Sequence, residues 1–198
     1  MIIKTLVFSG FLIFSIISLG QENLSQAQVQ EVIKDKIGAV VKLGSHSLIV
    51  KAVMDQNAKN MSMESIKKAD EEWKASKGLT PFKISLQKSP VGNFIKRKMR
   101  LNKSIYSEAF LTDNQGANVT AFPATSDYWQ GDESKWTESF NNGDGKVYIG
   151  EVELDESSGS YATQVSVPVK DQGNTIGVLV IGIKLSYIEA RKLKAAPE

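Results

Sequence analysis

The chain has 198 residues, with 24 Lys and Arg against 22 Asp and Glu, one histidine and no cysteine. A formal charge of +2 is too balanced to argue for a nucleic-acid partner, and the lack of cysteine removes disulfides, thiol catalysis and thiolate metal sites. The length suits one domain that buries its core without covalent or metal staples.

At the N-terminus, Lys4 precedes an apolar run (Leu6, Val7, Phe8, Phe11, Leu12, Ile13, Phe14, Ile16, Ile17, Leu19) that closes on Ser18-Leu19-Gly20 before the polar Gln21-Glu22-Asn23. This layout predicts a secretory signal peptide over 1–20. An uncleaved membrane anchor is the alternative, because the run approaches the roughly 18 to 20 apolar residues that span a bilayer. No cysteine stands at the cleavage point, so a lipid-anchored precursor is not expected.

Over 21–59, apolar residues recur at helical steps (Val29, Val32, Ile33, Ile37, Val40, Val41, Ile49, Val53), predicting one long helix with a kink at Gly44-Ser45. Ser62 or Ser65 caps a second helix over 65–76, anchored by Trp73 and ended by Lys77-Gly78 and Pro81. The stretch 79–103, with Pro81, Pro90 and Gly92, reads as a loop-rich connection holding a short helix around 91–100. Its basic run, Lys96 to Lys103, reads first as a solvated face.

The pattern then changes to strand and turn. A strand over 104–111 leads through Asp113-Asn114-Gln115-Gly116, which has hairpin chemistry, into a partner over 117–122. A polar, aromatic loop over 125–130 precedes a short helix over 132–140, capped by Asp132 and carrying Trp136 and Phe140 on one face. Strands follow over 147–154, 161–169 and 175–185, and 191–198 reads as a frayed polar tail. The run from Ile176 to Ile183 is almost wholly apolar, so this strand is expected at the centre of the sheet, covered on both faces. The expected fold is therefore α+β: long N-terminal helices packed on a five-stranded antiparallel PAS-like sheet, one domain over 21–190.

Three segments carry a family resemblance: 111–119 around Asp113-Asn114-Gln115-Gly116, 125–136 around Asp127-Tyr128-Trp129-Gln130-Gly131-Asp132, and 168–179 around Pro168-Val169 and Asp171-Gln172-Gly173. Together, over roughly 105–185, they resemble the Cache sensor domains, the extracytoplasmic PAS-like modules of chemoreceptors and sensor kinases. The middle segment is similar to a variant found in stand-alone, exported single-Cache proteins of Gram-negative bacteria. The resemblance implies a periplasmic, non-catalytic binding protein whose ligand is a small carboxylate, amino acid or amine. Signalling across a membrane needs a second spanning helix after the last strand, and the sequence beyond Leu185 offers none. The chain is therefore expected to act through a membrane kinase, cyclase or chemoreceptor.

By the same resemblance, Tyr128, Trp129 and Trp136 cover the concave face of the sheet, with Asp127, Gln130 and Lys135 interleaved. Asp155, Ser157 and Tyr161 approach from the next hairpin, and Tyr148 from the strand beneath. Lys135 can pair a carboxylate, and Asp155 or Asp127 an amine, so the ligand's charge stays open. Trp136 also reads as a core anchor beside Phe140, whereas Tyr128 and Trp129, adjacent aromatics in a polar loop, read as ligand contacts.

Catalytic residues, a metal and a cofactor are not expected. His46, the sole histidine, has no triad partner in its sequence context. The 141–145 segment has a calcium-loop flavour, but Val152 stands where the bidentate Glu would be required. Glu151, Glu153, Asp155 and Glu156 alternate as a solvent face does. The competing functional reading is a ligand-free interaction module in which the helix over 21–59 forms a homodimer or docks on a membrane sensor.

Overall fold

The structure, a computed structural model, describes residues 24–155 and 157–195. The stretch 1–20, where a signal peptide is expected, and Glu156 lie outside the described residues.

The N-terminal helical region is three helices rather than one: α1 (Gln26–Val32), α2 (Lys34–Gly44) and α3 (Ser47–Asn57). α2 and α3 meet at 56°. The second break lies at the expected kink, where the Nδ1 of His46 accepts the Leu48 backbone N–H at 3.2 Å and caps α3. The first break, at Ile33, carries no sequence breaker. The limited width of the sheet explains both: a straight helix rising about 1.5 Å per residue would run roughly 48 Å over this stretch, well past five strands about 4.8 Å apart, so the chain bends and buries Val29, Ile33, Val40, Ile49 and Val53 in turn. Most of that apolar stripe is thus spent on the chain's own core, with Val41 left exposed.

α4 (Met63–Ala75) starts at Ser62, whose hydroxyl accepts the Ser65 N–H. The stretch expected to be loop-rich is instead two helices, α5 (Pro81–Lys88) and α6 (Pro90–Leu101). Both prolines sit in the first turn, where their missing N–H costs nothing, and Thr80 and Ser89 cap the helices before them. Proline here marks two starts rather than a loop. On α6 the basic run flanks a buried stripe of Val91, Ile95 and Met99, with Arg97, Lys98 and Arg100 in solvent.

The sheet holds β1 (Tyr106–Thr112), β2 (Asn118–Phe122), β3 (Tyr148–Asp155), β4 (Ser160–Asp171) and β5 (Asn174–Lys184), all antiparallel in the order β2-β1-β5-β4-β3. β5 is central, as its unbroken apolar run requires, and Val178 to Ile183 are buried apart from no residue of that span. Ala109, Leu111, Val165, Val167, Val169, Leu179, Ile181 and Ile183 point into the core beneath α1, α2, α3 and α6. Phe110, Ala121, Val178 and Val180 point the other way, under α7 (Ser134–Phe140), against Trp136 and Phe140.

Two further boundaries differ from expectation. The cap of α7 is Glu133 rather than Asp132, and Glu133 makes no side-chain capping bond. The polar tail is largely helical, α8 (Leu185–Ala195), held by fully buried Ile188 and by Arg191, whose Nη1 lies 2.7 Å from Asp35 Oδ1. A helix fixed through one anchor shows too narrow an apolar stripe to be legible in sequence. Among the described residues no single helix is long and apolar enough to cross a membrane.

Candidate functional site

The connection between β2 and α7 forms a lid over the second face of the sheet. It leaves β2 through a cis Phe122–Pro123 peptide. α4 then pins it: Asp70 Oδ1 accepts the backbone N–H groups of Tyr128 and Trp129 at 2.8 and 3.0 Å, its Oδ2 pairs with Lys74 at 2.6 Å, and Trp73 Nε1 donates to the Thr125 carbonyl at 2.8 Å. The β1–β2 turn pins it a second time. Asp113 Oδ1 accepts the N–H groups of Gln115 and Ala117, both at 2.9 Å, shaping a turn whose Gly116 has φ +85°. The Gly116 carbonyl then accepts the Gln130 N–H at 2.8 Å, and the Gln115 carbonyl accepts Trp129 Nε1 at 2.7 Å. A Cβ on Gly116 would stand 2.5 Å from Gly131 Cα, so the backbones meet only because both residues are glycine.

This fastening decides where the lid's side chains go. Tyr128, read from sequence as a ligand contact, is only 2 % exposed and packs among Trp73 and Phe82, with ring centroids 5.8 and 5.2 Å away. Burial, followed by the nearby Asp113 charge, pushes its hydroxyl up to about 12. Trp129 is half-buried, bonded to the β1–β2 turn, with the Lys67 ammonium 5.1 Å from its ring centre. Gln130 and Asp127 are buried and bond to each other, and burial raises the Asp127 pKa. Trp136 stacks on Phe140 at 4.7 Å, its Nε1 donating to the Asp113 carbonyl at 3.3 Å. Tyr161 is exposed, outside the cavity wall described next.

Beside the fastened part, between the lid and the β3–β4 end of the sheet, lies a cavity of about 290 Å³. Three of the expected site residues, Lys135, Tyr148 and Asp155, line it, as does Ser157. The structure adds Glu108, Gln164, Glu133, Glu151, Glu153 and the lid residues Thr125 and Ser126. Glu108 is only 3 % exposed, and its two oxygens accept Gln164 Nε2 at 2.6 Å and Ser157 Oγ at 2.9 Å. Burial above all, and then the Asp155 charge, holds its carboxyl above the usual glutamate value. Gly182 on β5 makes room for it: a Cβ there would meet Ser107 Oγ at 2.2 Å and the Glu108 side chain at 3.1 Å. Asp155 accepts the Ser157 backbone N–H at 2.9 Å and the Ser158 hydroxyl, closing the hairpin tip, and its Oδ1 lies 2.7 Å from the Ser157 hydroxyl, whose single proton serves either Asp155 or Glu108. Lys135 lies 3.9 Å from Glu133 Oε2 and 5.7 Å from the Phe110 ring centre. The sequence signal for Glu108 was a lone charge inside an otherwise uncharged strand, a placement that demands a reason.

The β-hairpin with its Asp-x-x-Gly turn, the lid loop with its short helix, and the Pro168-Val169 strand running through a glycine turn into the central strand are the features implied by the likeness to Cache sensor domains. No family model matches the chain, and no curated protein matches it. Among solved structures it is similar to the sensor domain of the V. cholerae histidine kinase DctB, at 14% identity and TM-score 0.45, covering 84% of this chain and 57% of that one. It is also similar to the sensory domain of the Campylobacter jejuni chemoreceptor Tlp3 with isoleucine bound, at 14% identity and TM-score 0.43, covering 88% and 69%. A third is the ligand-binding domain of the Pseudomonas aeruginosa PAO1 amino acid chemoreceptor PctB in complex with L-Arg, at 15% identity and TM-score 0.42, covering 83% and 54%. The chain thus spans little more than half the length of the DctB and PctB domains.

Proposed function

We propose that this protein is an exported, non-catalytic sensory module that binds a small polar metabolite in the cavity between lid and sheet and acts through a membrane signalling partner. The observation that carries the reading is the cavity itself. It is concave, close in size to the smallest ligand pockets, and lined by convergent polar groups on a lid and a sheet that are each rigidly held. The ligand contacts assigned are Glu108, Lys135, Tyr148, Asp155, Ser157 and Gln164. Tyr128, Trp129, Gln130, Asp127 and Trp136 position the lid that closes over them. The interaction-module reading rested on an apolar helical stripe over 21–59, and burial of Val29, Ile33, Val40, Ile49 and Val53 gives it no support.

The test is a thermal-shift screen of the purified protein against small carboxylates, amino acids, amines and purines. Ligand at a hundred times its dissociation constant adds about 2.7 kcal/mol of stability. A hit whose stabilisation is lost in Tyr148→Ala and Ser157→Ala supports the site. A hit indifferent to both removes it.

A further inference from the structure

Building on that reading of the cavity, we propose that its ligand is a small primary or secondary ammonium ion carrying no carboxylate, received by Glu108 and Asp155. Among the described residues the cavity wall holds five carboxylates, Glu108, Glu133, Glu151, Glu153 and Asp155, against one cation, Lys135. Lys135 lies 3.9 Å from Glu133 and over the Phe110 ring, and its charge reaches Glu108 only from beyond ion-pair distance. Glu108 supplies an independent argument. It is 97 % withdrawn from solvent by its 3 % exposure, yet among the described residues no Lys, Arg or His stands within ion-pair distance of it. One of its oxygens accepts the Gln164 amide and the other at most the single Ser157 hydroxyl proton, for which Asp155 also competes, where a carboxylate offers about four acceptor sites. A buried carboxylate with spare lone pairs and no counter-ion is costly in its charged form, a cost that a proton or an arriving cation relieves.

The chemistry narrows the cation. Among the described residues no group of three carboxylate or histidine side chains is placed to hold a metal ion. A quaternary ammonium is best received by an aromatic cage, and among the described residues Tyr148 is the one aromatic side chain on the wall. An N–H-bearing ammonium can instead donate to Glu108 and Asp155 together. An amino acid would have to place its own carboxylate among the remaining acids with only Lys135 to receive it.

Calorimetric titration of the purified protein separates this inference from the reading beneath it. The probes are propylamine and ethanolamine, then tetramethylammonium, alanine and propionate. The primary amines are expected to bind most tightly, and Glu108→Gln to weaken them roughly 30-fold or more, while Glu64→Gln on the exposed face of α4 leaves them unchanged. Binding of propionate or alanine in preference to the amines, lost in Lys135→Ala, overturns the cation assignment and keeps the cavity as the site. Binding of amines that Glu108→Gln does not weaken also overturns it. Silence from every class of probe overturns both.

Discussion

The two faces of the sheet are built from alternate residues of the same strands, yet they do different work. On the helix-covered face, β4 and β5 present Val165, Val167, Val169, Leu179, Ile181 and Ile183, and α1, α2, α3 and α6 close over them. On the other face the same strands begin apolar at Val178 and Val180 under Trp136 and Phe140, then turn polar at Gln164 beside Glu108. The first face is a core whose free energy comes from apolar area. The second gives up part of that area for a polar cavity, and its closure depends on a few directed hydrogen bonds from α4 and the β1–β2 turn. Stability is therefore concentrated on one face and the candidate binding chemistry on the other.

The largest effect should follow from damaging the helix-covered face. Leu179→Ala removes a fully buried side chain from the central strand and is expected to cost about 3 to 4 kcal/mol, read as a lowered denaturant midpoint at unchanged slope. Next comes the lid. Asp70→Ala strips the acceptor from the Tyr128 and Trp129 N–H groups and should cost about 2 to 3 kcal/mol, with faster amide exchange over 125–131 than elsewhere in the protein. Equal exchange throughout would mean that the lid is held by packing rather than by Asp70.

A smaller change of opposite sign is expected at Glu108. Its carboxyl is held above the unfolded-state value, so the folded state is penalised as pH rises through the usual glutamate range, and the penalty is complete above the raised folded value. Glu108→Gln removes it: the ligand-free variant should melt higher than the parent at pH 7, and the gap should close as pH falls below the usual range. A gap that persists at acid pH would trace the gain to packing instead. Smallest of all, Lys67→Ala removes the ammonium over Trp129, for about 0.5 kcal/mol and no change in ligand affinity.

Much of the fold was legible because its signals are local. Gly116 in the β1–β2 turn, the unbroken apolar run of β5 and the pairing of Trp136 with Phe140 each announce an element through neighbours in sequence. The helical region was harder to read. Thr80-Pro81 and Ser89-Pro90 carried cap-and-proline start signals that looked like loop punctuation, and the break at Ile33 has no local cause at all. In the candidate site, Lys135, Tyr148, Asp155 and Ser157 were legible as residues facing one cavity, whereas Tyr128 read as a ligand contact because nothing within its own loop reveals the aromatic partners Trp73 and Phe82 that bury it.

The sequence by itself determined the order of the five strands, the central place of β5 and the presence of a tight turn before an aromatic loop, since all of these follow from periodicity and backbone chemistry over a few residues. Tertiary structure alone decided which way that loop's side chains point and which charges share a wall. Asp70 lies 58 residues from Tyr128 along the chain, and Glu108 lies 56 from Gln164 and 49 from Ser157. Side chains so far apart in sequence are brought together by strand register and helix packing, and burial, which sets the cost of a charge, exists only once they have met.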